Sequence, residues 1–228
     1  MASGWMRTQI NEFLALKDQV IRSWSGVEMA VRGGDGPTPE FAGQDVPCQP
    51  LWALHARTDT GDTVTIATYQ HDDLFGLRIE RSAGSDGDDV SHGYRRRALP
   101  ELPTGLVRRA SIDLDGDVLA EVRLQVQRRD LLLVAGEPEE NFDGRLVWRR
   151  LDESVLAFTD PNTVEQMKWV PARRRLQRIT WRPAVSLGHA SASVTLDVHS
   201  GPFGDDLNAT AKPARQGGHG AGRGLSAD

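Results

Sequence analysis

The feature that most constrains this chain is a two-residue alternation broken by Asp-Gly and Gly-Asp turns. Val118, Ala120, Val122, Leu124 and Val126 alternate with Glu121, Arg123, Gln125 and Gln127. Successive side chains of a strand point to opposite faces, so this pattern predicts a half-buried strand in an antiparallel sheet. Asp115-Gly116-Asp117, just before it, is a hairpin-turn signal, with a type I′ turn expected. Leu131, Leu132, Leu133, Val134 and Ala135 are apolar without a break and predict a central strand covered on both faces.

The same reasoning predicts strands near 51–58, 63–70, 74–82, 91–97, 106–114, 118–127, 131–136, 145–151 and 154–159. The turn glycines Gly61, Gly87, Gly116 and Gly144 are spaced 26, 29 and 28 residues apart. The residues between them do not match one another, so the spacing fits a meander of short strands rather than a repeat.

Before the meander, Ile10, Phe13, Leu14, Leu16, Val20, Ile21 and Trp24 recur at three- and four-residue steps. That predicts an amphipathic helix over 5–23, packed on the sheet and stopped at Gly26. A short strand through Val27, Met29 and Val31 follows, then a Gly/Pro-rich loop over 33–50. After the meander, Asp160-Pro161 reads as an N-cap followed by proline in the first turn, predicting a short helix over 161–168. Strands near 176–182 and 193–199 come next.

The predicted fold class is α+β. It is mainly an antiparallel β-meander, curved or barrel-like, with the N-terminal helix and the short helix near 161–168. Residues 1–199 form one β-rich domain, and 200–228 form a disordered Gly/Ala/polar tail. If the sheet divides, Pro100 and Pro103 place the division near 99–104. The predicted core is Ile10, Phe13, Leu14, Ile21, Leu54, Ile66, Leu77, Ile79, Val122, Leu124, Leu132, Val134, Val147, Leu156 and Phe158.

Composition narrows the class of function. The formal net charge is −5 and one cysteine is present, so nucleic acid is disfavoured as a partner and no intramolecular disulfide forms. No apolar run reaches membrane-span length, and the first ten residues lack the pattern of a secretory signal. A soluble, cytoplasmic protein is expected.

Alternate turns of a meander return to the same end of the sheet. One end then collects Asp59, Asp62, Asp86, Asp88, Asp89, Asp115, Asp117, Glu139, Glu140 and Asp143, with Asp160 arriving there too. The other end collects Arg95, Arg96, Arg97, Arg108, Arg109, Arg128, Arg129, Arg149 and Arg150, together with Asp72, Asp73, Glu101, Asp130, Asp152 and Glu153. The simpler account is that turns favour aspartate for backbone reasons and that the arginines pair with nearby acids.

The candidate catalytic and ligand motifs are weak. Asp113, Asp115 and Asp117 alternate like the start of a calcium loop, but Val118 and Leu124 stand where an EF-hand needs glycine and glutamate. The glycines at 217–222 lack the βαβ setting of a dinucleotide fingerprint. Cys48 could pair with His55 or His71 as a nucleophile, but flanked by Pro47 and Pro50 in a loop it reads as a partly buried small residue. His71-Asp72-Asp73 reads as a tight turn, too few ligands for a metal. Arg173-Arg174-Arg175 reads as a solvated loop.

The leading expectation is therefore a non-enzymatic protein-binding module, an acidic inhibitor or immunity-like protein acting on a basic partner. Asp86, Asp88, Asp89, Asp115, Asp117, Glu139, Glu140 and Asp143 form its binding end, and no cofactor or metal is expected. A small-ligand-binding, barrel-like protein is one alternative. An enzyme with a site near His55, Tyr69 and His71 is the other.

Overall fold

A computed structural model of the chain describes residues 4–30, 41, 47–83, 94–143, 145–173 and 176–180. The expected strand at 193–199, the tail from 200, most of the 33–50 loop, and Asp86, Asp88 and Asp89 lie outside the described residues. The architecture is mostly antiparallel β-sheet.

The chain begins with α1 (Gly4–Leu14) and β1 (Val20–Met29). Three strands follow as a meander: β2 (Gln49–Thr58), β3 (Asp62–His71) and β4 (Leu74–Ala83). After β5 (Tyr94–Ala98) a second meander runs through β6 (Gly105–Asp115), β7 (Val118–Val126), β8 (Arg129–Glu140) and β9 (Leu146–Phe158). The described chain ends in α2 (Pro161–Gln166), β10 (Trp169–Val170) and β11 (Gln177–Thr180). Asp160 caps α2, its side chain accepting from the Asn162 amide at 3.0 Å, with Pro161 at the start of the helix.

Two short junctions join the meanders. β1 pairs β6 only at Val20 and Ile21, and β2 pairs β9 only at Gln49, Pro50 and Leu51. The strands β1, β2, β9, β8, β7 and β6 thus form a closed ring, though not a regular barrel. It is irregular because its strands fork. β1 goes on to pair β5, β2 pairs β3, β6 pairs β11, and the first part of β9 pairs β10 in parallel.

The inner faces are filled. Phe13 and Leu14 from α1, Leu54, Ile66, Leu77 and Ile79 from the first meander, and Val122, Leu124 and Leu133 from the second form one core cluster. Each such side chain contributes about 1.5–3 kcal/mol on burial. α1 lies against β4 and β6, where Gln9 also accepts the backbone N–H of Ile79 at 2.6 Å. That satisfies a donor on the open edge of β4, which would otherwise template pairing with another chain. A second cluster on the outer face joins Cys48, Leu132, Val134, Leu156 and Phe158 to Val164 and Trp169 of the C-terminal segment. Of the predicted core, Val147 alone is not fully buried.

Several boundaries differ from the sequence reading. The helix stops at Leu14, not Ser23, and Val20 already belongs to β1. Ile21 faces Thr58 while Ser23 faces Arg57, so Arg22 is an extra residue, a β-bulge. The bulge puts buried Ile21 and Trp24 three residues apart, which imitates a helical step. Gly26 is no helix stop; it pairs Leu54 within the strand. Glu28, expected to face solvent, is buried between Arg95 and Arg97. β7 is buried on both faces over its first half rather than half-buried throughout.

The largest difference is in β9, where two predicted strands are one strand of 13 residues. Ala135 faces Val155, yet Gly136 faces Arg150, so residues 151–154 have no counterpart on β8. Leu151 in this break takes a φ of 57°. A Cβ on Gly136 would stand 2.5 Å from the Arg149 carbonyl oxygen, so only glycine lets the strands approach this closely just past the break. Running β9 as a single strand reverses the parity of the meander. Asp160 follows Phe158, which pairs with Leu132 near the start of β8, and so lies away from the Asp115 end.

The hairpin between β6 and β7 yields the first prediction. Gly116 has a φ of 62° and Asp117 shares no positive value, so the turn meets the type II′ requirement rather than the expected type I′. A Cβ there meets nothing within 4 Å, so substitution acts through the backbone alone. Gly116→Val lowers the urea-unfolding free energy by roughly 1–3 kcal/mol. An unchanged midpoint would show that the turn tolerates negative φ.

Candidate functional site

The break in β9 separates two charged environments. On the outer face, Asp113 on β6 and Glu121 on β7 are cross-strand partners, 1% and 0% exposed. Arg173 grips Glu121 with two bonds, at 3.0 and 2.9 Å, and Arg178 grips Asp113 at 2.8 and 3.0 Å. Arg173 also reaches Glu165 on α2 at 2.5 Å. Burial raises the Glu121 carboxyl above its ordinary range, and the guanidinium of Arg173 opposes that shift.

Arg150, beside the break, donates to Asp115 at 2.9 Å, while its Nε and Nη1 are buried without a hydrogen-bond partner among the described residues. The C-terminal segment is thus strapped over the sheet by charge as well as by Trp169. That indole donates to the Val164 carbonyl at 2.9 Å and meets Trp148 and Phe158 edge-on.

On the other face, Glu137 and Glu139 of β8 with Arg149 and Asp152 of β9 line an open cleft of about 430 Å³. Arg149 faces Glu137 across the strand pair, but its guanidinium bonds to Glu139. Partial burial, with Asp152, Glu153 and Glu139 nearby, pushes the Glu137 carboxyl up to about 7. At the hairpin tip, Asn141 Oδ1 accepts the amides of Asp143 and Arg145 at 3.0 and 2.9 Å. This closed turn holds Phe142 fully in solvent, at 112% relative exposure.

The structure brings only part of the expected acidic end together. Asp115 and Asp117 at the β6–β7 turn and Glu139 and Asp143 at the β8–β9 hairpin sit at the same ends of neighbouring strands. Asp115 is tied to Arg150 and Glu139 to Arg149, whereas Asp117 and Asp143 are exposed. Glu140 ends β8, and its side chain lies outside the described residues, as do Asp86, Asp88 and Asp89.

Asp59 and Asp62 do not join this end. The Asp59 amide donates to Val20, which pairs with Leu106, so this turn sits near the start of β6, roughly 30 Å of strand from Asp115. Asp152 and Glu153, expected at the opposite end, instead belong to the β9 break beside Glu137. Arg149 and Arg150 move with them. Glu137 escaped the sequence reading because the strand was ended at Gly136, before Pro138.

The remaining candidate residues are dispersed. His55 on β2 is buried, with Nδ1 3.1 Å from Thr65 Oγ1. Tyr69 lies four residues farther along β3, accepts the Leu119 amide at 3.4 Å and packs on Trp5. His71 is exposed next to the two-residue turn formed by Asp72 and Asp73. These three do not converge. Cys48 is buried in the outer apolar cluster, which pushes its thiol up and away from nucleophilic behaviour. Arg173 is no solvated loop residue; it is the clamp on Glu121, while Arg174 and Arg175 lie outside the described residues. Of the arginines expected at the basic end, Arg95 and Arg97 bond to Glu28 and Arg97 also to Glu101.

Comparison with protein-family models, with curated proteins and with solved structures finds no match. Among the described residues, no helix is long and apolar enough to cross a membrane, and no group of three or more His, Cys, Asp or Glu is arranged to hold a metal.

The buried pair sets the second prediction. Arg173→Ala strands a fully buried carboxylate and destabilises the protein by roughly 3–5 kcal/mol in chemical denaturation. Glu121→Leu combined with Arg173→Leu recovers most of that loss, because no charge is left unpaired. A double variant as unstable as the single one would mean that the ion pair itself, rather than the stranded charge, governs the loss.

Proposed function

We propose that this protein is a protein-binding module whose β8–β9 hairpin docks a basic partner, in the manner of a small acidic inhibitor or immunity-like protein. The observation that carries this reading is the make-up of the hairpin end. It sets a fully exposed Phe142, on a turn closed by the Asn141 side chain, beside carboxylates that outnumber their cations. An aromatic side chain held ready in solvent is a low-entropy anchor for an interface. The surrounding Asp117, Glu139 and Asp143, with Glu137 and Asp152 in the cleft, supply a field that steers a cationic surface toward it. The partner is a protein with a basic patch, and Asp115 contributes through its pairing with Arg150 rather than by contact.

Fluorescence anisotropy with a labelled arginine-rich peptide tests this. Binding weakens by about tenfold or more between about 0.05 M and about 0.3 M salt. A variant carrying Asp117→Asn, Glu139→Gln and Asp143→Asn keeps its fold, because exposed carboxylates contribute little stability, and binds several-fold more weakly. Phe142→Ala shortens the lifetime of the complex. Unaltered affinity in the triple variant, or loss of binding on neutralising Asp59 and Asp62 instead, would assign the binding surface elsewhere.

A further inference from the structure

We propose that residues 136–143 and 145–150 of the β8–β9 hairpin form a pH-responsive arm, closed while Glu137 holds a proton and loosened when it releases that proton to solvent. The inference goes beyond partner binding and concerns the free protein. Its first support is how the arm is attached. β8 pairs with β7 only as far as Val134; Ala135 still packs in the core, and from Gly136 to Glu140 the one strand partner among the described residues is β9. The pairing with β9 itself restarts at Gly136 after the four-residue break that contains Leu151. Beyond that, a two-residue parallel bridge from β10 at Trp148 and Arg149, the edge-on contact of Trp148 with Trp169 and the Arg150–Asp115 bond hold the arm to the body. Segments with few partners and a strained junction open at low free energy.

The second support is the distribution of charge around Glu137. Its own strand brings Glu139, and β9 brings Asp152 and Glu153 from the break and Arg149 from across the pair. Arg149 bonds to Glu139, so it does not neutralise Glu137. Other charges on elements packed against the arm are engaged elsewhere or add to the negative sum. On β4, Arg78 donates to the Thr68 carbonyl and pairs with Glu80. On β3, Tyr69 accepts from Leu119 and His71 stands at the exposed hairpin tip. Glu121 of β7 and Glu165 of α2 are both held by Arg173, and Asp117 adds a further carboxylate at the β6–β7 turn. Arg145 lies exposed near the arm's tip. Closing the arm therefore sets Glu137 in a half-buried cleft among like charges, and opening it returns the carboxyl to water.

The sign follows from the direction of the shift. The closed arm raises the Glu137 carboxyl from 4.5 to about 7, so closure binds the proton more tightly and weakens as pH rises through that range. If opening fully restored ordinary acidity, the opening equilibrium would rise by about tenfold between about pH 6 and about pH 8. Solvent screening at a half-open cleft brings this to about three- to tenfold.

Hydrogen exchange on the full chain, corrected for the intrinsic pH dependence of exchange, reads this directly. Amides of Glu137, Glu139, Glu140 and 146–149 lose about three- to tenfold in protection from about pH 6 to about pH 8, while those of Val122 and Leu133 do not change. Glu137→Gln, which keeps shape and removes the charge, shows no such loss. A carbon-detected titration of the Glu137 carboxyl in the unmodified protein places its midpoint near neutrality. Arm protection that tracks the core at both pH values would overturn the proposal, as would an unchanged loss in Glu137→Gln or an ordinary carboxylate midpoint.

Discussion

Four residues of β9 without partners on β8 set the geometry of the β8–β9 hairpin end. An antiparallel ladder has a strict two-residue side-chain period, so an even insertion preserves the faces on either side but displaces the strand along its neighbour. Arg149 thus stays on the cleft face opposite Glu137, while Arg150 goes to the outer face, where it reaches Asp115. The break also carries Asp152 and Glu153 to the cleft and lets the hairpin run on past the end of the β7 pairing. Leu151 at positive φ and two buried nitrogens on Arg150 without a hydrogen-bond partner among the described residues accompany it, roughly 1–3 kcal/mol of strain for the backbone alone. That such a feature persists means the surrounding packing of Trp148, Trp169 and Phe158 over-determines it.

The outer face shows how this protein handles charge when charge is structural. Asp113 and Glu121 are removed from water, and each receives a two-bond arginine from the C-terminal segment. Such pairs contribute little net stability against an apolar alternative, but they admit few other arrangements. A segment that offered only Trp169, Val164 and Leu176 to the sheet could slide along it. Two planar guanidinium groups matched to two fixed carboxylates hold β11 in register with β6.

Much of the β framework was legible because alternation is a local signal. The run from Leu131 to Ala135 reads as a strand covered on both faces and is one, with every side chain buried. The failures share a physical cause, which is an extra residue that shifts the phase of a strand or a partner remote in sequence. Arg22 turns a strand period into a helical one. Residues 151–154 make one strand look like two, and that misassigned Arg149, Arg150, Asp152, Glu153 and Asp160 together. Glu28 and Glu121 read as solvent-facing because alternation sees residue type and not the arginines 67 and 52 positions away that make their burial tolerable. The candidate site was less legible than the fold for the same reason. Its key carboxyl, Glu137, lies past a glycine and before a proline, where a sequence reading ends the strand.

The two sides of β9 differ in a way that bears on what the arm is for. Beneath the strap, the buried Asp113 and Glu121 meet Arg178 and Arg173, Asp115 meets Arg150, and the exposed Glu165 of α2 shares Arg173, so each buried acid there has a donor placed to fit it. In the cleft, Glu137, Glu139 and Asp152 have Arg149 beside them, bonded to Glu139, and burial together with the neighbouring Asp152, Glu153 and Glu139 charges pushes Glu137 toward neutrality. The chain has arginine in abundance, 24 against three lysines, so a shortage of cations does not explain the contrast. Self-repulsion of this kind lowers the stability of the free protein, and a cation supplied from outside relieves it. With a solvent-exposed Phe142 on a closed turn beside it, this unneutralised face is what the proposed docking of a basic partner rests on, and the strap, its acids already paired, offers no equivalent.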